Sequence, residues 1–349
     1  MPDDTMADPT QVLAFKDMIF VTGASRSGTT MLSRIFGQHS VVNGLKELHC
    51  FGELVDPNQL RSPLNKQQAV DLCTQLIARS KRDIWGEVTA EDATEAEQLF
   101  PQSVNCEYVT GDVVALTLNH IATTQGKTIP CEQTPRNIFY ANALLDYFPS
   151  LKIVHIVRDP RDVLASQKNR WKRKRLGGDN IPYSEIIRVW FNYHPYTITK
   201  LWVKATTLAQ QLKTHERVYI LRFEDIIANP EQEIKKVCAF LGLAYESEML
   251  DIEQIGSSHR QNTNQQRGVA QKALNTWVKI LTPGEVAICE RIAAEQMKAF
   301  SYPVSNTLSA FNVSVITQIL KYPLHAVGVL ISNPRRAWIQ LQAILGTTK

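Results

Sequence analysis

A short loop near the start of the chain carries residue types suited to binding an anion. The run Gly23-Ala24-Ser25-Arg26-Ser27-Gly28-Thr29-Thr30 differs by one residue from the phosphate-binding pattern G-x4-G-K-S/T, because Thr29 stands where the lysine would be. In nucleoside triphosphatases that lysine neutralises the β and γ phosphates, and the hydroxyl after it holds magnesium. Here Arg26 is the side-chain cation, and the backbone N–H groups that open the next helix remain. The loop predicts a phosphate or sulfate site, with an ordinary strand-to-helix turn as the structural alternative.

A second candidate anion site follows an apolar run later in the chain. Arg158 ends the run Lys152–Val157, and Ser166 comes about two helical turns after it. If a helix begins between them, the two side chains can bind the oxygens of one phosphate group. Taken alone, the same pair could be a surface arginine and a helix serine.

Three apolar runs, each followed by a helical pattern, must position these loops. The runs cover Met18–Thr22, Lys152–Val157 and Val218–Phe223, and each reads as a buried strand. The patterns after the second and third runs predict helices over 162–171 and 230–241. Repeated strand-then-helix units predict an α/β fold, in which a central parallel sheet is flanked by helices in three layers. Ligands of such sheets bind beyond the carboxyl ends of the strands, where 23–30, 158–161 and 222–225 fall.

The two loop motifs together resemble those of sulfotransferases that use 3′-phosphoadenosine 5′-phosphosulfate (PAPS). The resemblance covers about residues 17–303 and is closest to the bacterial, tyrosylprotein and carbohydrate branches of the family. It implies a P-loop-like fold and a sulfuryl transfer to an acceptor hydroxyl or amine, without a metal. The residues that it assigns to the donor are Ser25, Arg26, Ser27, Gly28, Thr29 and Thr30 for the 5′-phosphosulfate and Arg158 and Ser166 for the 3′-phosphate.

The resemblance also suggests catalytic residues. Glu47, 21 residues after Arg26, stands where related enzymes place a catalytic glutamate, so it is the first candidate for the base. His49 and Glu53 are alternatives, and Arg26 would stabilise charge on the leaving oxygen. Gln133 occupies a position where the family often has lysine, and Lys46 is the candidate substitute for that charge.

The polar stretch 257–275 corresponds to the family's late donor-binding segment. Ser258 and Arg267 are its candidate donor contacts, although a solvated loop would have the same composition. Trp277 follows the segment and fits either a core residue or an adenine contact.

The composition narrows both the class of protein and the cellular compartment. Apolar residues make up 44% of the 349, which excludes a disordered chain, and a net charge of +4 gives no sign of nucleic-acid binding. Six widely spaced cysteines and an acidic N-terminal segment that is unlike a signal peptide predict a cytoplasmic protein with reduced thiols. The run 168–175 holds six cations, which fit a solvated helix face, an acidic acceptor, a membrane surface or attraction of the anionic donor.

The ends of the chain differ from its middle. Residues 1–16 predict a flexible leader, and 304–349 predict a helical extension that binds a membrane or a partner. Within 311–340 an apolar stretch precedes Arg335, Arg336 and Trp338, an order typical of peripheral attachment to the inner membrane face. Packing against the main domain or a second copy is the alternative.

Two other functions stay open at this point. The loop could serve a nucleotide-dependent phosphoryl transferase with an altered lysine position. The chain could also bind PAPS or adenosine 3′,5′-bisphosphate (PAP) without turnover, since Gln133 replaces a cation. Neither the acceptor, which could be a small molecule, glycan, lipid or peptide, nor the oligomeric state follows from the sequence.

Overall fold

The computed structural model describes most of the chain in seven stretches. They are 17–84, 86–100, 107–170, 183–253, 267–269, 274–305 and 313–332, together with Pro334, Trp338 and Leu341. The predicted leader 1–16 and Ser258 lie outside them.

The described residues contain seven short strands, which form two sheets. The strands are β1 (Met18–Gly23), β2 (Val42–Gly44), β3 (Pro63–Leu64), β4 (Tyr108–Val109), β5 (Ile129–Glu132), β6 (Leu151–Val157) and β7 (Val218–Arg222). The main sheet has the order β2-β5-β1-β6-β7 and all its pairs are parallel. β1 and β6 pair over the full length of β1, from Met18 with Leu151 to Gly23 with Ile156. β3 and β4 form a separate antiparallel pair.

Helices fill the connections between the strands. They are α1 (Thr29–Gly37), α2 (Lys66–Arg82), α3 (Ala90–Glu97), α4 (Thr110–Thr124), α5 (Ala141–Tyr147), α6 (Pro160–Lys168), α7 (Tyr183–Phe191), α8 (Pro195–Gln211), α9 (Phe223–Ala228), α10 (Pro230–Leu241), α11 (Trp277–Ile280), α12 (Pro283–Ala299) and α13 (Val313–Ser332). Within the described residues, α13 alone is long and apolar enough to cross a membrane by length and composition.

Two apolar cores lie on opposite faces of the main sheet. Along β1, Met18 and Phe20 point into a core shared with α2, α4 and α5. Ile19 and Val21 point into the other core, which is shared with α1, α9 and α10. This alternation is the period-two pattern of a strand buried on both faces. The three-layer α/β architecture predicted from the sequence is confirmed.

The predicted elements agree with the structure in kind and differ at their ends. All three predicted strands form, and the helix expected over 230–241 has those bounds. The helix expected from Asp162 begins earlier, at Pro160, because Asp159 caps it by accepting from the Arg161 N–H at 2.8 Å. β2 and β5 were not predicted from the sequence.

Cysteine thiols are buried throughout the part of the chain that the structure describes. They belong to Cys50, Cys73, Cys131, Cys238 and Cys289, and none forms a disulfide. Burial raises the pKa of each, to about 11 for Cys73 and Cys238 and to about 12 for Cys289. These thiols therefore stay protonated at neutral pH and act as small apolar core groups.

Candidate active site

The anion-binding loop joins β1 to α1 through two residues in the left-handed region. Arg26 has a φ of 79° and Gly28 a φ of 109°. Gly28 is the N-cap of α1, and no side chain caps that helix end. A Cβ at Gly28 would lie 2.6 Å from a ring carbon of Phe223, so glycine is required by both backbone and packing. The uncapped N–H groups of α1 are thus available to an anion.

The two predicted anion motifs meet at Arg26. Its Nε donates to Oγ of Ser166 at 3.0 Å, although 140 residues separate them. Its backbone carbonyl accepts from Nη1 of Arg158 at 3.1 Å. The structure therefore brings Arg26, Arg158 and Ser166 together at the carboxyl ends of the adjacent strands β1 and β6.

Arg158 is buried, and separate contacts hold its side chain and its backbone. The guanidinium lies 4.5 Å from the centre of the Phe223 ring, and Trp202 Nε1 donates to the Arg158 carbonyl at 2.9 Å. Burial lowers the pKa of Arg158, while the carboxylates of Asp162 and Glu224 raise it. A guanidinium fixed in this way is preorganised for a planar set of phosphate oxygens. Sequence reasoning missed Phe223, which supports both Gly28 and Arg158.

Asp162 connects the second motif to the segment at 275–277. Its carboxylate accepts from the Asn275 N–H at 2.9 Å, the Thr276 hydroxyl at 2.8 Å and the Trp277 N–H at 3.0 Å. The Trp277 ring stacks on Arg161, whose guanidinium carbon is 4.2 Å from the ring centre. The carboxyl end of the predicted late donor segment is therefore anchored to α6. No sequence signal singled out Asp162 for this role.

Glu47 lies between His49 and the arginines of the site. Its Oε2 is 3.1 Å from His49 Nε2, and its side chain is 41% exposed. Burial opposes ionisation, but the hydrogen bond and charge of His49 and the charges of Arg170 and Arg26 together hold the pKa of Glu47 below its usual value. The carboxyl is thus ionised at neutral pH and can accept a proton from an incoming hydroxyl.

A buried carboxylate positions the segment that carries Glu47. Glu132, at the end of β5, accepts from the Leu48 N–H at 3.1 Å and from the Thr134 N–H at 2.9 Å. Asn137 Nδ2 donates to it at 2.7 Å, and the His49 N–H donates to the Thr134 hydroxyl at 3.0 Å. Burial raises the pKa of Glu132, which these hydrogen bonds oppose. Glu132 therefore acts on Glu47 through the backbone.

Glu53, the third candidate base, is engaged elsewhere. Arg136 Nη2 contacts its Oε1, and Arg79 Nη1 lies 3.4 Å from its Oε2. The pKa of Glu53 is lowered because these arginines and His49 outweigh its burial. Two guanidinium groups on one carboxylate suit a structural ion pair better than a proton acceptor.

Gln133 sits beside the anion-binding loop. The Thr30 hydroxyl donates to its Oε1 at 3.3 Å, and the glutamine is buried. Lys46, which could have supplied the missing charge, lies 3.2 Å from Asp83 instead, with both side chains more than half exposed.

The remaining predicted residues are placed as follows. In the loop Ser25 is exposed, Thr29 is buried, and Ser27 Oγ is buried with no hydrogen-bond partner among the described residues. Arg267 is 51% exposed and forms an ion pair with Asp251 at 2.5 Å, so its role as a donor contact stays a prediction. In the basic run, Lys168 pairs with Glu285 at 2.6 Å, and 171–175 lie outside the described residues.

The site fits a donor with two separate anionic groups. Beyond the end of β1, Arg26, the uncapped start of α1 and the Ser27 hydroxyl, which has no hydrogen-bond partner among the described residues, can meet one anionic group. Beyond the end of β6, Arg158 and the Ser166 hydroxyl can meet the other. In the described stretches, no cluster of three or more histidine, cysteine or carboxylate side chains has a metal-binding arrangement.

Known proteins share both the sequence pattern and the fold. A family model described as "Sulfotransferase family" matches residues 18–247. A protein-tyrosine sulfotransferase of Drosophila melanogaster is 21% identical over 280 residues, which are 77% of this chain and 48% of that protein. An omega-hydroxy-beta-dihydromenaquinone-9 sulfotransferase of Mycobacterium bovis is 31% identical over 112 residues, 32% of this chain and 28% of the other. The match thus spans half or less of these two relatives.

A solved structure shows the same fold. The sulfotransferase domain of the Synechococcus PCC 7002 olefin synthase aligns over 83% of this chain and 96% of its own, with a TM-score of 0.52 and 17% identity. The family match covers both anion motifs and Glu47. It confirms the prediction that the chain is an enzyme of the PAPS-dependent family. The chain belongs to the sulfotransferase family.

Proposed function

We propose that this protein transfers a sulfuryl group from PAPS to an acceptor hydroxyl, with Arg26, Arg158, Ser166 and Glu47 in the roles given below. The hydrogen bond between Arg26 and Ser166 carries the proposal, because it joins the two anion motifs into one site. The ionised state of Glu47 also supports the proposal, because the charge of Arg26 helps to lower the pKa of this carboxyl.

The cations divide between the two ends of the donor. Arg26 and the N–H groups that open α1 face the 5′-phosphosulfate, where negative charge grows on the leaving oxygen during transfer. Arg158 and the Ser166 hydroxyl face the 3′-phosphate. A donor with a single 5′-phosphate has no β or γ phosphate, so threonine in place of the usual lysine at position 29 removes nothing that the reaction needs.

Glu47 would accept the acceptor's proton as the acceptor oxygen attacks sulfur in line. The new bond forms between that oxygen and sulfur, and the bond between sulfur and the phosphate oxygen breaks, which releases PAP. His49 Nε2 lies 3.1 Å from the Glu47 carboxylate, so His49 acts as a positioning residue.

The names of the relatives favour a hydroxyl over an amine as the acceptor. The Drosophila relative is named for tyrosine and the Mycobacterium bovis relative for an omega-hydroxy compound. Both acceptors offer a hydroxyl group, one phenolic and one aliphatic.

Ligand-dependent unfolding tests the donor. The melting temperature of the full chain is measured alone, with PAP, and with ATP plus magnesium. A ligand at a hundred times its dissociation constant adds about 2.7 kcal/mol, a shift of several degrees for a domain of this size. We expect a shift with PAP. A shift that requires ATP and magnesium would instead support a phosphoryl transferase and overturn the proposal.

A transfer assay separates an enzyme from a non-catalytic binder. Donor labelled in the sulfuryl group is incubated with pools of phenols, lipids, glycans and peptides. Transfer to a hydroxyl-bearing pool is expected. Binding of PAP without transfer to any pool would favour the non-catalytic alternative, for which Gln133 in place of a cation is the motivation.

A further inference from the structure

A stripe of exposed aliphatic side chains runs along α13. Its members recur three or four positions apart, as residues on one helix face do. The stripe, called here the α13 stripe, consists of Val313, Ile316, Leu320, Leu324, Val327 and Ile331. Leu320 and Ile331 are 74% and 78% exposed. Because a helix of 20 residues is about 30 Å long, the stripe is a continuous surface rather than a scatter of apolar residues.

A neighbouring face of α13 is fixed to the domain near both ends of the helix. The Gly284 N–H of α12 donates to the Ser314 hydroxyl at 3.1 Å. Towards the other end, His325 Nδ1 lies 3.1 Å from the Phe191 carbonyl of α7, and Gly328 packs so closely on the Phe191 ring that a Cβ would not fit. The helix therefore lies lengthwise on the domain, and the α13 stripe faces outward.

Aromatic side chains extend this surface at its border. Trp190 of α7 stacks on His325 with ring centres 4.7 Å apart, and Tyr196 of α8 meets Tyr322 at 5.3 Å. Trp190, Tyr196 and Tyr322 are all exposed in part. Tryptophan and tyrosine rings, apolar with one polar group, are enriched where lipid headgroups meet acyl chains.

The charge of the surrounding sequence selects the partner. From Gln296 to Lys349 there is no aspartate or glutamate, and the cations are Lys298, Lys321, Arg335, Arg336 and Lys349. An anionic lipid surface complements such a segment. In a symmetric dimer the same patch would face itself and bring these cations together without a carboxylate from either copy of the segment.

We infer that the α13 stripe binds the surface of an anionic membrane, with α13 parallel to the bilayer and its aliphatic side chains at the boundary between headgroups and acyl chains. The inference concerns where the protein lies and does not depend on the proposed function. Contacts near both ends of α13 favour this arrangement over a helix that spans the bilayer.

Flotation with vesicles tests the inference on the full chain. One set of vesicles is phosphatidylcholine alone, and the other is an equal mixture of phosphatidylcholine and phosphatidylglycerol. The variant is L320Q/L324Q/I331Q, which changes outward side chains only, and the control is V88Q, an exposed aliphatic residue outside α13. We expect binding to the mixed vesicles, weaker binding to phosphatidylcholine, and at least about tenfold weaker partitioning of the triple variant. V88Q should bind as the unmodified protein does.

Two results would overturn the inference. Equal partitioning of the triple variant and the unmodified protein would show that the α13 stripe does not contact lipid. A dimer in sedimentation velocity that the triple variant dissociates, together with no vesicle binding, would show that a second copy covers the stripe. If PAP raises the melting temperature of the triple variant as much as that of the unmodified protein, the variant is folded. If PAP raises the melting temperature of none of the three proteins, that result contradicts the proposed function and leaves the membrane inference unaffected.

Discussion

Glu47 carries the clearest chemical prediction of the site. In Glu47→Gln the side chain keeps its size and can still contact His49, but it can no longer accept a proton at neutral pH. We expect turnover to fall at least about a hundredfold, with the PAP-induced melting shift retained. Initial rates of labelled transfer and the melting shift of the same preparation give the comparison.

The matched control for this variant is Glu53→Gln. Glu53 pairs with Arg79 and Arg136, so its loss should lower the melting temperature more than the turnover of the folded protein. A larger loss of turnover in Glu53→Gln than in Glu47→Gln would make Glu53 the base and contradict the assignment.

His155 predicts a pH dependence of stability. Burial lowers its pKa to about 3, and its Nδ1 lies 3.0 Å from the Thr22 hydroxyl on β1. The unfolded chain takes up a proton at this histidine near pH 6.5 and the folded chain does not, so stability falls as the pH drops below about 6.5. The contribution of one such group is about 1.4 kcal/mol for each pH unit.

His155→Asn should make that dependence shallower. Urea unfolding at several pH values between about 5 and about 6.5 measures it. The variant loses packing and is less stable near neutral pH, but its free energy of unfolding should decline less on acidification. Identical slopes for the two proteins would mean that His155 is protonated in the folded state.

Among the elements, the turn from β1 into α1 is the most constrained. Gly28→Ala would place a Cβ against Phe223 in a backbone region that alanine avoids, so we expect a loss of about 1–3 kcal/mol in stability and a loss of the PAP-induced shift. Gly126→Ala is the control, because Gly126 has a φ of 69° but no atom within 4 Å of the added Cβ. It should keep the PAP shift. Retention of that shift in Gly28→Ala would contradict the role of the loop.

Elements were predictable where hydrophobic runs were long. β1, β6 and β7 have five to seven residues and mostly apolar sequences. β2 and β5 have three and four residues and include Asn43, Gly44 and Pro130, which are poor strand formers. These two strands form because they pair with neighbouring strands and pack against the cores. Such long-range contacts leave no pattern in the local sequence. The role of Glu132 was not predictable either, because its contacts with the Leu48 and Thr134 N–H groups exist only in the folded chain.

In the molecule as a whole, the central strands form the region that is most protected from hydrogen exchange. β1 lies between β5 and β6, and β6 lies between β1 and β7, with both strands buried on both faces. Native-state hydrogen exchange should therefore be slowest for the amides of β1 and β6 and faster for the edge strand β2. Mass spectrometry of peptic fragments resolves these strands. Faster exchange in β1 than in β2 would contradict the sheet order.

The donor half of the site was more predictable than the rest. Arg26, Arg158 and Ser166 belong to motifs with fixed spacing, and the structure joins them. The partners that support them, Phe223 and Asp162, act over long sequence separations and leave no local pattern. The acceptor side has no motif at all, since its residues are chosen by the shape of the acceptor rather than by a shared anion.

The position of β1 in the sheet has a consequence for synthesis. Its two neighbours, β5 and β6, begin at Ile129 and Leu151, so β1 leaves the ribosome more than a hundred residues before either of them. At roughly 5–20 residues per second, its apolar side chains and unpaired backbone groups wait on the order of ten seconds for a partner. During that interval other nascent chains compete for the strand. The yield of soluble protein should therefore depend on how quickly residues 129–157 are translated.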